Sequence, residues 1–267
     1  MTVHQDIIPS LWRRVLGITP EPDARGLPAG ERVYAVGDIH GQARLLRELI
    51  DLIAADIAAR PVPLPRLIFL GDYVDRGVGT ADVIEALSNG PLPGVPTECL
   101  MGNHEDIMLR ALDDDALYEQ WMRLGGLETL VSYGVPLFSR SGGPASGEER
   151  MAALRKRLPA HHHAFLRALK PCTRRSGYFF AHAGVRPGVP LDCQDRNDLL
   201  TIRKDFHKYR QPLGAVVVHG HTPVREPEIL ENRINIDTGA YATGRLTAAV
   251  LEGEEVRLIV ADKMGCM

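Results

Sequence analysis

Cysteine is scarce: Cys99, Cys172, Cys193 and Cys266 are the four among 267 residues, and no two form a C-x-x-C pair. That scatter suggests neither a thiolate zinc site nor a disulfide framework, and it fits a reducing cytoplasm. An excess of either charge is also missing. Lys and Arg number 31 against 34 Asp and Glu, a formal charge of -3, so no basic field invites duplex nucleic acid or an anionic membrane surface. No run approaches the roughly 18 apolar residues of a membrane span, and residues 1–16 lack the apolar core of a signal peptide. Internal repeats and low-complexity tracts are absent too. What remains is 45% hydrophobic and 24% charged, the composition of an ordinary globular chain rather than a disordered or fibrous one. A chain of this length buries about 70–75% of its unfolded surface, so it needs no disulfide or metal merely to fold.

Residues 1–31 include the Pro- and Gly-rich stretch GITPEPDARGLPAGE at 17–31 and read as an irregular lead-in. From Arg32 the pattern predicts one domain over 32–262. RVYAVGD at 32–38 is strand-like, the apolar residues Leu45, Leu46, Leu49, Ile50, Ile53 and Ile57 recur at helical spacing, and RLIFLGD at 66–72 is strand-like again. A helix at 80–89 and a strand at 97–101 extend this alternating α/β order, which implies a mostly parallel sheet. Residues 104–170 predict a helical insert, interrupted by an exposed loop or hinge at SRSGGPASG, 139–147. The remainder is β-rich: 177–182, 214–220, 233–237, 245–252 and 255–260, the last two joined at Gly253-Glu254 as a hairpin.

Five motifs carry the chemistry: GDIHG at 37–41, GDYVDRG at 71–77, GNHE at 102–105, HAG at 182–184 and HGHT at 219–222. Most sit where a predicted strand runs out into a loop, the edge at which open α/β sheets bind ligands. They supply Asp38, His40, Asp72, Asn103, His182 and His221, a mixed oxygen and imidazole set that suits two divalent cations, manganese first, with iron or zinc as alternatives. Two cations roughly 3.5–4 Å apart need a bridging carboxylate. Asp72 is expected to bridge, with Asp38 and His40 completing one site and Asn103, His182 and His221 the other.

In order and spacing these motifs resemble those of the metallophosphoesterases, in particular their phosphoprotein phosphatase branch, over about residues 33–252. The resemblance implies an α/β fold: a β-sandwich flanked by helices in α/β/β/α layers, with the metals at the strand ends. It implies hydrolysis of phosphate monoesters by direct attack of a metal-bridging hydroxide. It also implies that His104 is the general acid, that Asp75 orients it, and that Arg76 and Asn103 contact the phosphate. DLLTIRKDF at 198–206 is similar to a segment that carries a second phosphate arginine, which selects Arg203. Thr201 stands there in place of the expected aromatic residue, and Arg186 is the runner-up. Tyr241 resembles a position lining the cleft.

Bland readings compete for each residue. Asp38, Asp72 and Asn103 could be helix caps or turn formers, and Asp75 with Arg76 a surface ion pair. His219 reads as a core histidine rather than a ligand. The triplet His161, His162 and His163 has the donors to chelate a metal, but at a predicted helix start it reads as solvated surface, as does the acidic run Asp113 to Asp115. Symmetrical dinucleoside tetraphosphate hydrolases belong to the same branch, but the resemblance gives them a non-acidic residue at Asp75 and often Asp at Glu105. GDYVDRG and GNHE therefore favour a cytoplasmic serine/threonine protein phosphatase acting on a phosphorylated protein or a small phosphoester. The tetraphosphate hydrolase is the alternative, and an idle metal-binding interaction module is the alternative from another class.

Overall fold

The segment ERVYAV is buried continuously from Arg32 onward, as expected of a strand covered on both faces. It forms β1 (Glu31–Val36) in a computed structural model that describes residues 26–139 and 142–262. Helix α1 (Ala43–Ala59) buries one stripe, Leu45, Leu46, Leu49, Ile50 and Ile53, and returns the chain to β2 (Leu64–Phe69), parallel to β1 with Tyr34 opposite Leu67. Helix α2 (Thr80–Ser88) buries Val83, Ile84 and Leu87 and leads to β3 (Thr97–Cys99), parallel to β2. Five helices follow: α3 (Asn103–Asp113), α4 (Tyr118–Met122), α5 (Gly126–Ser132), α6 (Gly147–Arg157), capped by Ser146, and α7 (Ala160–Arg167).

The second half supplies β4 (Cys172–Arg175), β5 (Tyr178–Ala181), the short helices α8 (Arg196–Thr201) and α9 (Lys204–Lys208), β6 (Val216–His219), β7 (Glu228–Ile229) and β8 (Arg233–Asn235). After the single turn α10 (Ala240–Thr243), β9 (Arg245–Glu252) and β10 (Glu255–Asp262) form the expected hairpin, with Gly253 at φ 56°.

Two five-stranded sheets result, in the orders β10-β9-β1-β2-β3 and β4-β5-β6-β8-β7. Within β1 the pleat divides the strand between two cores. Val33 and Ala35 join Ile68, Ala249 and Leu251 against Tyr178, Phe180, Val218 and Ile234, between the sheets. Tyr34 and Val36 face α1, α2 and the insert helices, while Phe179 and Val217 cover Leu199, Ile202 and Phe206 on the far side. The layers are therefore helix, sheet, sheet, helix, as expected. The structure differs from the pattern in details. The strand expected at 97–101 ends at Cys99, and Leu27 is already buried, its N–H bonded to the Gly253 carbonyl. The rest of the lead-in, residues 1–25, lies outside the described residues. Among the described residues no helix is long and apolar enough to cross a membrane.

Candidate metal centre

Strands β1, β2 and β3 run parallel in one sheet, and β5, β6 and β8 run parallel in the other. Their carboxyl ends carry Asp38, Asp72, Asn103, His182, His221 and Asp237. The two sheet edges meet at Asp72. Its Oδ2 lies 3.5 Å from His40 Nε2 and 3.8 Å from His104 Nε2, and its Oδ1 lies 3.3 Å from His182 Nε2. Ligand atoms of His40, Asp72 and His104 thus form one group, and those of Asp72, His182 and His221 a second, with Asp72 common to both. Asn103 Oδ1 stands 3.0 Å from His182 Nε2. Asp38 falls outside both groups; its oxygens accept from the His221 backbone N–H at 3.1 and 3.3 Å.

The backbone is bent to make this possible. His40, Asp72, Asp75, Arg76 and His221 all have positive φ, between 47° and 70°, and among the described residues the only other non-glycine with positive φ is Ser176. Left-handed backbone costs a side-chain-bearing residue about 1–3 kcal/mol and persists only where the surroundings over-determine it. Glu105 provides much of that determination. Its carboxylate accepts from the N–H groups of Asp72, Tyr73, Val74 and Gly102, at 2.9, 2.7, 3.1 and 2.9 Å. One buried side chain therefore ties the second motif to the start of α3.

Electrostatics follow from burial. Asp72, Asp38, Asp237 and His40 are at most 3% exposed. Burial and the neighbouring Asp237 and Asp72 charges push the Asp38 carboxyl well up, and burial raises Asp237, whose Oδ2 has no donor among the described residues. Burial would raise Asp72 as well, but His182, His104 and His40 outweigh it and hold that carboxyl well below the usual range. Burial lowers His40 to about 3 and His221 to about 2. The Nδ1–H of His40 donates to the Val74 carbonyl at 2.8 Å and that of His182 to the Leu70 carbonyl at 3.0 Å, leaving each Nε2 lone pair turned toward Asp72. Clustered buried carboxylates beside oriented imidazoles are a donor set that divalent cations satisfy, and the residues fit such a pair.

His104 lies beside this set. Its Nδ1 is 2.7 Å from Asp75 Oδ2, and its Nε2 is 3.2 Å from Arg76 Nη2. Asp75 is fully buried, so the surface ion-pair reading fails. It accepts from Trp121 Nε1 at 3.0 and 3.1 Å and from Thr129 Oγ1 at 2.7 Å. Burial lowers the His104 pKa, but Asp72 and then Asp75 raise it more, and the net shift is upward. Arg203 Nε donates to His221 Nε2 at 3.0 Å, at the pocket's edge, whereas Arg186 is committed to Asp198 at 2.6 Å and Asp205 at 3.5 Å. The Tyr241 ring lies 4.6 Å from the Arg76 guanidinium and 5.3 Å from the His40 ring. Sequence reasoning missed Asp237, Glu105, Trp121 and Thr129 as parts of this region. Asp237 had the same signal as the others, an acid ending a strand, and Glu105 sat inside a quoted motif. Trp121 and Thr129 had none.

His219 is buried, with Nδ1 donating to the Gly220 carbonyl at 3.0 Å and its ring 5.0 Å from Phe206. It lies in neither ligand group. The surface reading of the histidine triplet is corrected for its middle member: His162 is 3% exposed, because Tyr133 and Glu85 enclose it.

Residues 31–261 match the calcineurin-like phosphoesterase family. The chain belongs to that family. It is a metal-dependent phosphoesterase, like the family's hydrolase-named members. Among its relatives, the asymmetrical bis(5'-nucleosyl)-tetraphosphatase PrpE of Bacillus thuringiensis is 28% identical over 232 residues, spanning 80% of this chain and 87% of that protein. A solved structure described as a putative diadenosine tetraphosphatase superposes with a TM-score of 0.61 at 21% identity, covering 87% of this chain and 94% of the other. The cold-active protein-tyrosine phosphatase of a psychrophilic Shewanella superposes with a TM-score of 0.53 at 15% identity, covering 91% and 85%. At those identities the two structures establish the fold alone.

Proposed function

We propose that this phosphoesterase hydrolyses phosphate monoesters, with Asp38, His40, Asp72, Asn103, His182 and His221 holding two divalent cations, manganese first among them, and His104 protonating the leaving group. The cations, when bound, supply the charge that neutralises the phosphate and the nucleophile at neutral pH. Asp75 holds the His104 ring by Nδ1 and stabilises its protonated form, so the Nε2 proton is available to the departing oxygen. The upward shift of the His104 pKa supports that role. Arg76, beside Nε2, is placed to grip phosphate oxygens with its planar fork, and Arg203 approaches from the His221 side.

The observation that carries this reading is the His104–Asp75 contact of 2.7 Å inside a cage of Trp121 and Thr129. A held, protonated imidazole matters most for an alkoxide leaving group, such as a serine or threonine side chain, and least for a phosphate leaving group. The names of the relatives support a second substrate class at least as well, a dinucleoside tetraphosphate. The partly exposed Tyr241 ring beside Arg76 offers a surface on which a nucleobase stacks.

The test is a substrate panel with added manganese: p-nitrophenyl phosphate, a phosphoserine or phosphothreonine peptide, and diadenosine tetraphosphate. Turnover that a chelator abolishes is expected for the first two. A higher kcat/KM on the tetraphosphate would overturn the monoester reading, with ATP plus AMP marking asymmetrical cleavage and two ADP symmetrical cleavage.

A further inference from the structure

Away from the catalytic pocket, the insert meets α2 at a second convergence of donors. His161 and His162, at the start of α7, both direct Nε2 at one oxygen, Glu85 Oε2 on α2, at 2.9 and 2.8 Å. These donor atoms lie within 4.8 Å of one another. Successive helical residues diverge by about 100°, so two adjacent histidines converging on a single atom is not what helix geometry supplies by default. Their rings meet edge to face, with centroids 4.4 Å apart.

Two of the three donors, His162 and Glu85, are also oriented by another group. His162 Nδ1 lies 3.0 Å from the Tyr133 hydroxyl, and the second Glu85 oxygen accepts from Asn89 Nδ2 at 2.6 Å. Metal-binding imidazoles are held this way, by a partner on the ring nitrogen that does not ligate. His162 is 3% exposed, whereas His161 and Glu85 have side chains 54% and 53% exposed. The cluster is therefore anchored on its inner side and open to water on its outer side. An ion pair would need one imidazole; the second, and the tyrosine behind it, are what a cation site adds.

We propose that Glu85, His161 and His162 bind one zinc ion between α2 and α7, with water completing a tetrahedral shell. Two imidazoles and one carboxylate with no thiolate suit zinc, and zinc accepts four ligands at about 2.0–2.2 Å. The ion would fasten the insert to the core. The insert also carries Trp121 and Thr129, which hold Asp75, but those contacts involve neither Glu85 nor His161. The role is structural, and it does not depend on the substrate reading above.

The test is equilibrium dialysis of the full chain against micromolar zinc chloride at pH 7.5, followed by elemental analysis of wild type, His161→Asn and Glu85→Gln. His161→Asn replaces an exposed side chain and keeps the helix, so it is the variant least exposed to misfolding. One equivalent fewer is expected in each variant, with manganese-supported p-nitrophenyl phosphate turnover within about twofold of wild type. Asp72→Asn should lower the count independently, and the one-equivalent difference should persist in that background, which separates this site from the catalytic one. Equal zinc content in wild type and His161→Asn would overturn the proposal, as would an equal zinc-induced rise in Tm in the two.

Discussion

His104 has two ring nitrogens with two surroundings: Nδ1 is locked to Asp75, and Nε2 faces Arg76 and the Asp72 carboxylate. That asymmetry is what a directed proton donor needs, since a ring free to rotate would present its proton in the wrong place part of the time. His104→Asn keeps a small polar side chain but removes the proton. The expected loss is about 10²–10⁴-fold in kcat on an alkyl phosphate, with a smaller loss on p-nitrophenyl phosphate, whose leaving group needs less protonation. Steady-state kinetics on both substrates check it, alongside metal content, which should not change. Equal losses on the two would remove His104 from the acid role.

At the level of elements, the strands deliver the donors and the turns after them aim the donors. Two glycines make the aim possible by close approach. A Cβ on Gly102 would fall on Asp72 Oδ1, and one on Gly220 would fall on Asp38 Oδ1. Both positions put backbone against a proposed ligand, where no side chain fits. Gly102→Ala should therefore displace Asp72 rather than merely crowd it. We expect a stability loss of about 1–3 kcal/mol by urea denaturation, from overpacking. Turnover should fall about 10²-fold, because a displacement near 1 Å is costly in an oriented site. Unaltered turnover would mean that the second motif tolerates movement of its carboxylate.

The whole molecule keeps several titratable groups dry to build one pocket, and the cost appears as a pH dependence of stability. His219 illustrates it, since burial drives its pKa down to about 3 and its Nε2 has no hydrogen-bond partner among the described residues. As pH falls through the ordinary histidine value near 6.5, the unfolded chain takes up a proton there and the folded chain does not, so acid favours unfolding at this position. Buried carboxylates such as Asp38, with raised values, act in the opposite sense, so only a difference measurement isolates His219. Relative to His219→Gln, wild type should lose about 1.4 kcal/mol of stability between pH 7.5 and 5.5, read by urea denaturation at both pH values. A gap that stays constant between the two proteins would show that His219 titrates normally.

From the sequence alone, apolar periodicity located most strands and the long helix α1, since spacing of 2 or 3.6 residues reports which faces must be buried. Gly-Asp and Gly-Asn steps at strand ends marked the turns where Asp38 and Asp72 lie and where Asn103 opens α3, because such residues tolerate the sharp turns there. Tertiary structure decided what local pattern does not encode. It set Asp72 between His40 and His182, put Trp121 and Thr129 around Asp75, made Glu105 the acceptor for four backbone donors, and buried His162 against Tyr133. Apart from the Gly102–Glu105 contact, these join residues separated by about 29 to 110 positions. A chain records its local preferences in neighbouring residues, but distant side chains meet only when two sheets and an insert have packed, and packing sums the whole molecule's burial.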